Sequence, residues 1–214
     1  MLALIRCKRT NYEYQEIRNR HYVENRGCHG QQIHYLIQKD NNTIGIISGA
    51  SSVWAVKARD EYFGLTKENK TKGLPSIINN VVFRLELHEK NLATQILSMW
   101  RKQVDVDWEK QYNVKPYGFE TFVVEEDHRK GCLYKADNWH YLGETAGSTK
   151  RHKGLENKSE RVKTSKKLIF AKKIKGRKLS TEYTPTWNKK RTVHNNNYAA
   201  TATASDQTYF AGFA

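Results

Sequence analysis

Three side chains stand where a chain could move a proton: Glu86 in "VVFRLEL", Glu120 in "FETF" and Tyr134 in "CLYKADN". Strand alternation places Val82, Arg84 and Glu86 on one face and Phe83, Leu85 and Leu87 on the other. Glu86 therefore either faces a cleft as a general base or pairs with Arg84 on a solvated face. Glu120 lies between Phe119 and Thr121. A charge in a central strand is costly unless it faces a cleft or meets a cation. If Glu86 and Glu120 share one cleft, their repulsion raises one carboxyl and makes it a base. Tyr134 is either a general acid or a packing tyrosine with a satisfied hydroxyl.

Asp137-Asn138-Trp139-His140-Tyr141 is dense in polar and aromatic groups. Trp139 or Tyr141 could stack on a nucleobase and Asn138 could read a base edge. The alternative is a core tryptophan and a turn-capping Asp/Asn pair. Asn79 and Asn80, ahead of an apolar run, position substrate or close a turn. Lys57, Arg59 and Arg84 are candidate phosphate contacts, or scattered charge on a solvated face. The eight histidines form no His-x-x-x-His or Cys/His cluster, so no metal is expected. No Gly-x-Ser-x-Gly, Walker or paired-Asp signature is present.

The elements that must hold these groups can be read from periodicity. Leu2–Cys7 is strand-like, and Thr10 or Asn11 caps a helix through "YEYQEIRNRHYVEN". "QQIHYLIQ", the turn Lys39–Asn42 and "TIGIISGASS" make a hairpin. Ser51 or Ser52 caps a helix through "VWAVKARDEYFG". "IINNVVFRLEL" is a strand, Asn91 caps the helix "LATQILSMWRKQVDVDWEKQY", and "PYGFETFVV" is a strand. A short helix at Cys132–Asn138 leads to closing strands "WHYLGET" and "KKLIFAKKI". The predicted order is β-α-β-β-α-β-α-β-α-β-β, an α/β mixed sheet.

The chain has 214 residues and a formal net charge of +15. From Lys150 to Arg191 there are 16 Lys/Arg and 3 Glu, so this stretch alone carries +13 of that charge. A polyanion is its natural partner. Lys150, Arg151, Lys153, Lys166, Lys167, Lys172, Lys173, Lys175, Arg177 and Lys178 are the candidate contacts, with DNA the favoured nucleic acid. A solvated tail is the alternative. Residues 1–179 are expected to form the domain and 180–214 a basic, then low-complexity, tail. No run approaches a membrane span, the opening residues are too short for a signal peptide, and the three scattered cysteines suit a reducing cytoplasm.

Leu133-Tyr134-Lys135-Ala136, followed by Tyr141-Leu142-Gly143-Glu144, resembles the late helix-to-strand phrase of the GNAT-like fold of Gcn5-related N-acetyltransferases. The resemblance implies a mixed sheet with helices on both faces. It implies that Tyr134 protonates the departing thiolate of coenzyme A, and that Glu86, on the fourth strand, serves the incoming amine as base, with Glu120 across the cleft. It also places the donor at Lys90, Asn91, Leu92, Ala93 and Thr94. That junction, His88-Glu89-Lys90-Asn91-Leu92-Ala93-Thr94, lacks the glycines that let a backbone approach a pyrophosphate. An acyl-coenzyme A cofactor is therefore doubtful and the donor stays open.

"HYVENRGCHGQQIHYLI", "ARDEYFGLTKENKTKGLPSIINNVVFRLEL" and "FETFVVEEDHRKGCLYKADNWHYLGETAG" resemble the DruA-like family. Its members include a component of the Druantia anti-phage defence system and transposon-associated domains. The likeness runs from about His21 to Gly147, with a closing strand at about 167–175. In layout the chain also resembles the phage Mom proteins, GNAT-like enzymes that modify adenine in DNA. These likenesses imply a transferase acting on nucleic acid, with protein partners of a defence or transposition system. The alternatives are a non-catalytic nucleic-acid-binding module and a conventional small-molecule or protein N-acyltransferase.

Overall fold

The computed structural model describes residues 1–23, 30–126, 129–153 and 158–179, with 148–153 and 158–163 described through their backbone. The elements are β1 (Leu2–Cys7), α1 (Tyr12–Asn19), β2 (Gln32–Lys39), β3 (Asn42–Ser51), α2 (Lys57–Phe63), α3 (Lys70–Gly73), β4 (Ile77–Leu85), α4 (Leu92–Tyr112), β5 (Gly118–Val124), α5 (Cys132–Ala136), β6 (His140–Glu144), β7 (Ser148–Lys153), β8 (Lys158–Lys163) and β9 (Lys167–Lys173). Seven strands form one sheet in the order β1-β2-β3-β4-β5-β9-β6. Neighbours are antiparallel except β4 and β5, which are parallel. This is the expected mixed α/β sheet. Strands β7 and β8 pair with each other as a second sheet, which the sequence reading did not contain. Their polar, alternation-free segments show no pattern of a half-buried strand.

Local chemistry explains most of the element ends. Asp40 and Asn41 both have positive φ, 49° and 65°, as a two-residue hairpin turn requires. The Asn11 side chain accepts the Tyr14 amide at 3.0 Å, as expected of a cap. Helix α1 stops at Asn19, six residues short of the expected end. There the Val23 amide donates to His21 Nδ1 at 3.1 Å and Arg18 binds the Val23 carbonyl at 2.7 Å, so side chains divert the backbone. Ser52 caps no helix: its hydroxyl donates to the Ile77 carbonyl at 2.8 Å, and α2 starts later with no side-chain cap. Asn91 precedes α4 in a left-handed conformation and makes no side-chain cap bond.

Helices cover both faces of the sheet. Leu92, Ile96, Trp100, Val104 and Trp108, four residues apart, put one apolar stripe of α4 on the sheet. They pack with Tyr35, Ile47, Ile78, Phe119 and Phe170, and α5 adds Tyr134. On the opposite face α1 brings Tyr14 and Ile17 against Leu36, Ile46 and Val82, and α2 brings Phe63 against Ile77 and Ala171. Burying each large side chain contributes about 1.5–3 kcal/mol.

One irregularity shapes the middle of the sheet. Ser48 pairs with Val82 and Gly49 with Asn80, which leaves Val81 as an extra residue in β4. Such a bulge bends its strand. The β4–β5 ladder covers Ile77–Gly118, Ile78–Phe119 and Asn79–Glu120. Beyond that third pair the two strands part, with Asn80 at the fork.

Candidate active site between strands β4 and β5

Asn80 is buried in the fork, and its orientation is set by two bonds. Its Nδ2 donates to the carbonyls of Ser48 and Val82 at 3.1 and 3.3 Å. The acceptor Oδ1 is thereby turned toward α5, where the Tyr134 hydroxyl donates to it at 2.8 Å. The hydroxyl of Thr121, on β5, donates to the Asn80 carbonyl at 2.9 Å. One residue from each flanking element thus meets at the point where β4 leaves β5.

Packing holds Tyr134 there. Its ring stacks on Phe170 at 5.7 Å and meets Trp139 edge-on at 5.1 Å. Helix α5 begins after Gly131, whose φ is 68° and where a Cβ would lie 2.3 Å from the Phe170 ring, so only glycine brings the helix this close. Burial pushes the Tyr134 phenol well above its ordinary range, so the group keeps its proton at neutral pH.

A second aromatic group, not singled out as functional in the sequence, forms around Tyr22. Tyr22 follows α1 and is 44% exposed, with Arg129 4.1 Å over its ring. Burial around its hydroxyl raises the phenol, the Arg129 charge and a Val124 backbone bond oppose the rise, and its charge would in turn raise Tyr134. His21 stacks on Tyr22 at 4.4 Å, and burial, then the Arg18 charge, lowers its imidazole to about 4. His21 and Tyr22 read as helix residues in the sequence, and only the early end of α1 turns them toward β5.

The predicted catalytic carboxylates do not join this cluster. Glu86 lies six residues beyond Asn80, about 17–20 Å along an extended strand. It is one-third exposed and held by Arg84 Nε at 2.6 Å and Arg20 Nε at 3.5 Å. The Arg84 hydrogen bond lowers its carboxyl. The ion-pair reading of Glu86 is therefore the right one, with Arg84 as its partner. Glu120 faces α2 and is fully buried, with Arg59 Nη1 at 2.6 Å from Oε2. Burial raises its carboxyl against the opposing Arg59 charge. Glu120 and Glu86 share no cleft, because Glu120 pairs with Asn79 at the root of the fork and Glu86 follows the far end of β4. Arg59, expected at a phosphate, is fully buried.

Most of the proposed substrate contacts are structural. Asn79 is buried. Trp139 is 4% exposed and belongs to the core, which excludes it from base stacking. Its Nε1 donates to Asp137 Oδ2 at 2.8 Å, and Arg101 grips the same carboxylate with bonds of 2.8 and 2.7 Å. Asn138 occupies a left-handed turn position with φ 57°. Tyr141 is different: it is 49% exposed, with the Phe170 ring 5.5 Å and Lys135 Nζ 5.9 Å from its own.

The donor junction does not fit coenzyme A. Glu89 binds Lys39 at 2.6 Å, so the turn before α4 carries a carboxylate, which repels a phosphate. The Leu92 amide donates to the Glu89 carbonyl at 3.3 Å and the Leu92 side chain is core, which leaves neither turned to a donor. The Thr94 hydroxyl is spent on the Asn91 carbonyl at 2.8 Å. Lys90 is exposed and Ala93 is half-buried. No group of three or more metal-ligating side chains occurs among the described residues.

The basic candidates divide. Arg177 is structural, binding Asp105 through both Nη atoms, with Nη2 at 2.7 Å from Oδ2. Lys172 donates to the Asp137 carbonyl. Lys173 lies over Tyr62 at 4.9 Å, Lys166 is 3.8 Å from Glu144, and burial lowers Lys167. Lys175 and Lys178 are exposed, and Lys150, Arg151 and Lys153 lie on β7. The expected tail, 180–214, lies outside the described residues. No described helix is long and apolar enough to cross a membrane.

The solved structures to which this chain is similar have little sequence in common with it. The microcin C7 self-immunity acetyltransferase MccE, solved with acetyl-CoA and AMP, is 9% identical with TM-score 0.41, over 67% of this chain and 61% of that one. A Bacillus subtilis acetyltransferase solved with CoA is 10% identical with TM-score 0.48, over 81% and 99%. The ribosomal-protein-S5-alanine acetyltransferase of Vibrio fischeri is 9% identical with TM-score 0.41, over 68% and 63%. The chain thus spans about three-fifths of the length of MccE. No curated protein matches. A family model described as Druantia protein DruA matches residues 2–207, nearly the whole chain, and by that match this protein belongs to the DruA family.

Proposed function

We propose that this chain is a GNAT-like group transferase whose acceptor is nucleic acid, with DNA favoured. The observation that carries the reading is the Tyr134 hydroxyl, buried at the fork of β4 and β5 and donating to Asn80 Oδ1 at 2.8 Å, so a leaving group must enter the fork to take its proton. An exocyclic amine of a nucleobase is neutral at pH 7, so it attacks without a strong base. The new bond forms from the amine nitrogen to the donor's electrophilic group. The bond from that group to its leaving group breaks, and the leaving group keeps the electron pair and takes the Tyr134 proton. The amine proton passes to water, and water reprotonates Tyr134. The donor is an activated compound with an anionic leaving group. A base within a duplex must first be flipped out, at a cost of a few kcal/mol. Exposed Tyr141 offers a ring on which the displaced base can stack.

A second reading, nucleic-acid binding without transfer, is favoured by the closed donor junction at Glu89 and Leu92. Intact-nucleoside mass spectrometry of DNA and RNA from cells making the protein separates the two, with Tyr134→Phe as control. A new nucleoside mass, absent in the control, supports transfer, and its increment names the group. An unchanged profile from folded, DNA-binding protein supports the binding module. The control leaves Asn80 Oδ1 without its donor and should cost about 1–3 kcal/mol, so its folding is checked by urea unfolding.

A further inference from the structure

The last two strands of the sheet do not end at its edge. Strands β6 and β9 pair as far as Glu144–Leu168. The Thr145 amide then donates to the Lys167 carbonyl at 2.9 Å, and the Thr164 amide to the Gly147 carbonyl at 2.9 Å. Pairing resumes at Ser148–Lys163 and continues to Lys153–Lys158. The result is one long two-stranded arm, jointed at 145–147 and 164–166, whose outer part pairs with no strand of the main sheet.

Register sorts the residues of the arm. Directly opposed residues share a face, and alternate residues change face. One face holds Ser148, Lys150, His152, Ser159, Arg161 and Lys163, with three fixed cations and no carboxylate. The other holds Thr149, Arg151, Lys153, Lys158, Glu160 and Val162, with one carboxylate and one apolar residue. Lys150 and Arg161 are directly opposed at the middle of the ladder.

We propose that this arm enters the major groove of B-form duplex DNA with the Lys150–Arg161–Lys163 face toward the bases and phosphates. The inference rests on the nucleic-acid reading above and narrows it to a duplex. The B-DNA major groove is about 12 Å wide and admits a two-stranded ribbon. The A-form RNA major groove is too deep and narrow for side chains to read. Each strand has six residues, so the arm is about 20 Å long, enough to lie along roughly half a helical turn. Lysine and arginine at its centre suit the acceptor edge of guanine.

The test is fluorescence anisotropy of the full chain with a labelled 20-base-pair DNA duplex, the same sequence as duplex RNA, and one DNA strand, each over a salt series. DNA duplex should bind at least tenfold more tightly than RNA duplex near 0.15 M salt. Lys150→Gln/Arg161→Gln/Lys163→Gln should lower the log–log salt slope by about 2.7 and the affinity roughly 100-fold at that salt. Arg151→Gln/Lys153→Gln/Lys158→Gln removes the same number of cations and should lose less than fivefold. Equal losses from the two triples, or equal binding of DNA and RNA duplexes, overturn the inference. Deleting 148–163 and joining Gly147 to Thr164, which already share a hydrogen bond, must abolish the duplex preference if the triples fail to fold. Face-dependent binding with unchanged nucleosides would overturn the transfer reading alone. A new nucleoside mass with face-independent binding would overturn the arm alone.

Discussion

Arg59 Nη1 lies 2.6 Å from Glu120 Oε2, and neither side chain is exposed. The guanidinium spends its other donors on Asp60 Oδ1 at 2.7 Å and on the Val53 carbonyl at 2.5 Å. The pair ties the loop before α2 to the central strand β5. Arg59→Met leaves a buried carboxylate uncompensated and should cost about 3–5 kcal/mol by urea unfolding. Arg59→Met with Glu120→Leu removes both charges and should recover most of that loss. A double variant as unstable as the single one would show that the charge pair is not what the site requires.

Gly131 stands beside the ring on which Tyr134 stacks. Gly131→Ala forces a left-handed residue to carry a Cβ 2.3 Å from the Phe170 ring. The expected loss is about 2–4 kcal/mol, from backbone strain plus overpacking. Adding Phe170→Leu should return part of it. No recovery would mean that the backbone alone sets the cost.

His34 is 7% exposed, with Nδ1 2.9 Å from the Ser48 hydroxyl. Burial, then the Arg9 charge, lowers its imidazole to about 4 from an unfolded value of 6.5. The folded state therefore binds fewer protons than the unfolded one between those values. This stability is present above pH 6.5 and is lost as pH falls toward 4, by up to about 1.4 kcal/mol per unit. His34→Gln should lower the slope of urea midpoint against pH between 7 and 4.5, with His21 supplying the remainder. An unchanged slope would place the acid sensitivity elsewhere.

The closed junction at Glu89 and Leu92 makes a simple ligand prediction. One millimolar acetyl-CoA should leave the thermal midpoint unchanged within about 1 °C. A ligand at 100 times its Kd would add about 2.7 kcal/mol and several degrees. A rise of that size would overturn the misfit.

The strands, the hairpin turn at Asp40–Asn41, the long α4 and the sheet's place among mixed α/β folds were legible in the sequence, because apolar period and turn chemistry act within a few residues. So were the degraded donor junction and the chance that Arg84 neutralises Glu86, two residues away. Tyr134 was legible as a group of interest, but its partner was not. The bulge at Val81, the burial of Arg59 beside Glu120 and the arm formed by β7 and β8 were decided by tertiary structure. Each depends on residues far apart in the chain: Asn80 with Tyr134, Arg59 with Glu120, Lys150 with Arg161. A carboxylate or an amide in a strand looks the same in sequence whether it faces solvent, a cleft or a cation. Packing alone brings the partner that decides its charge state and its role.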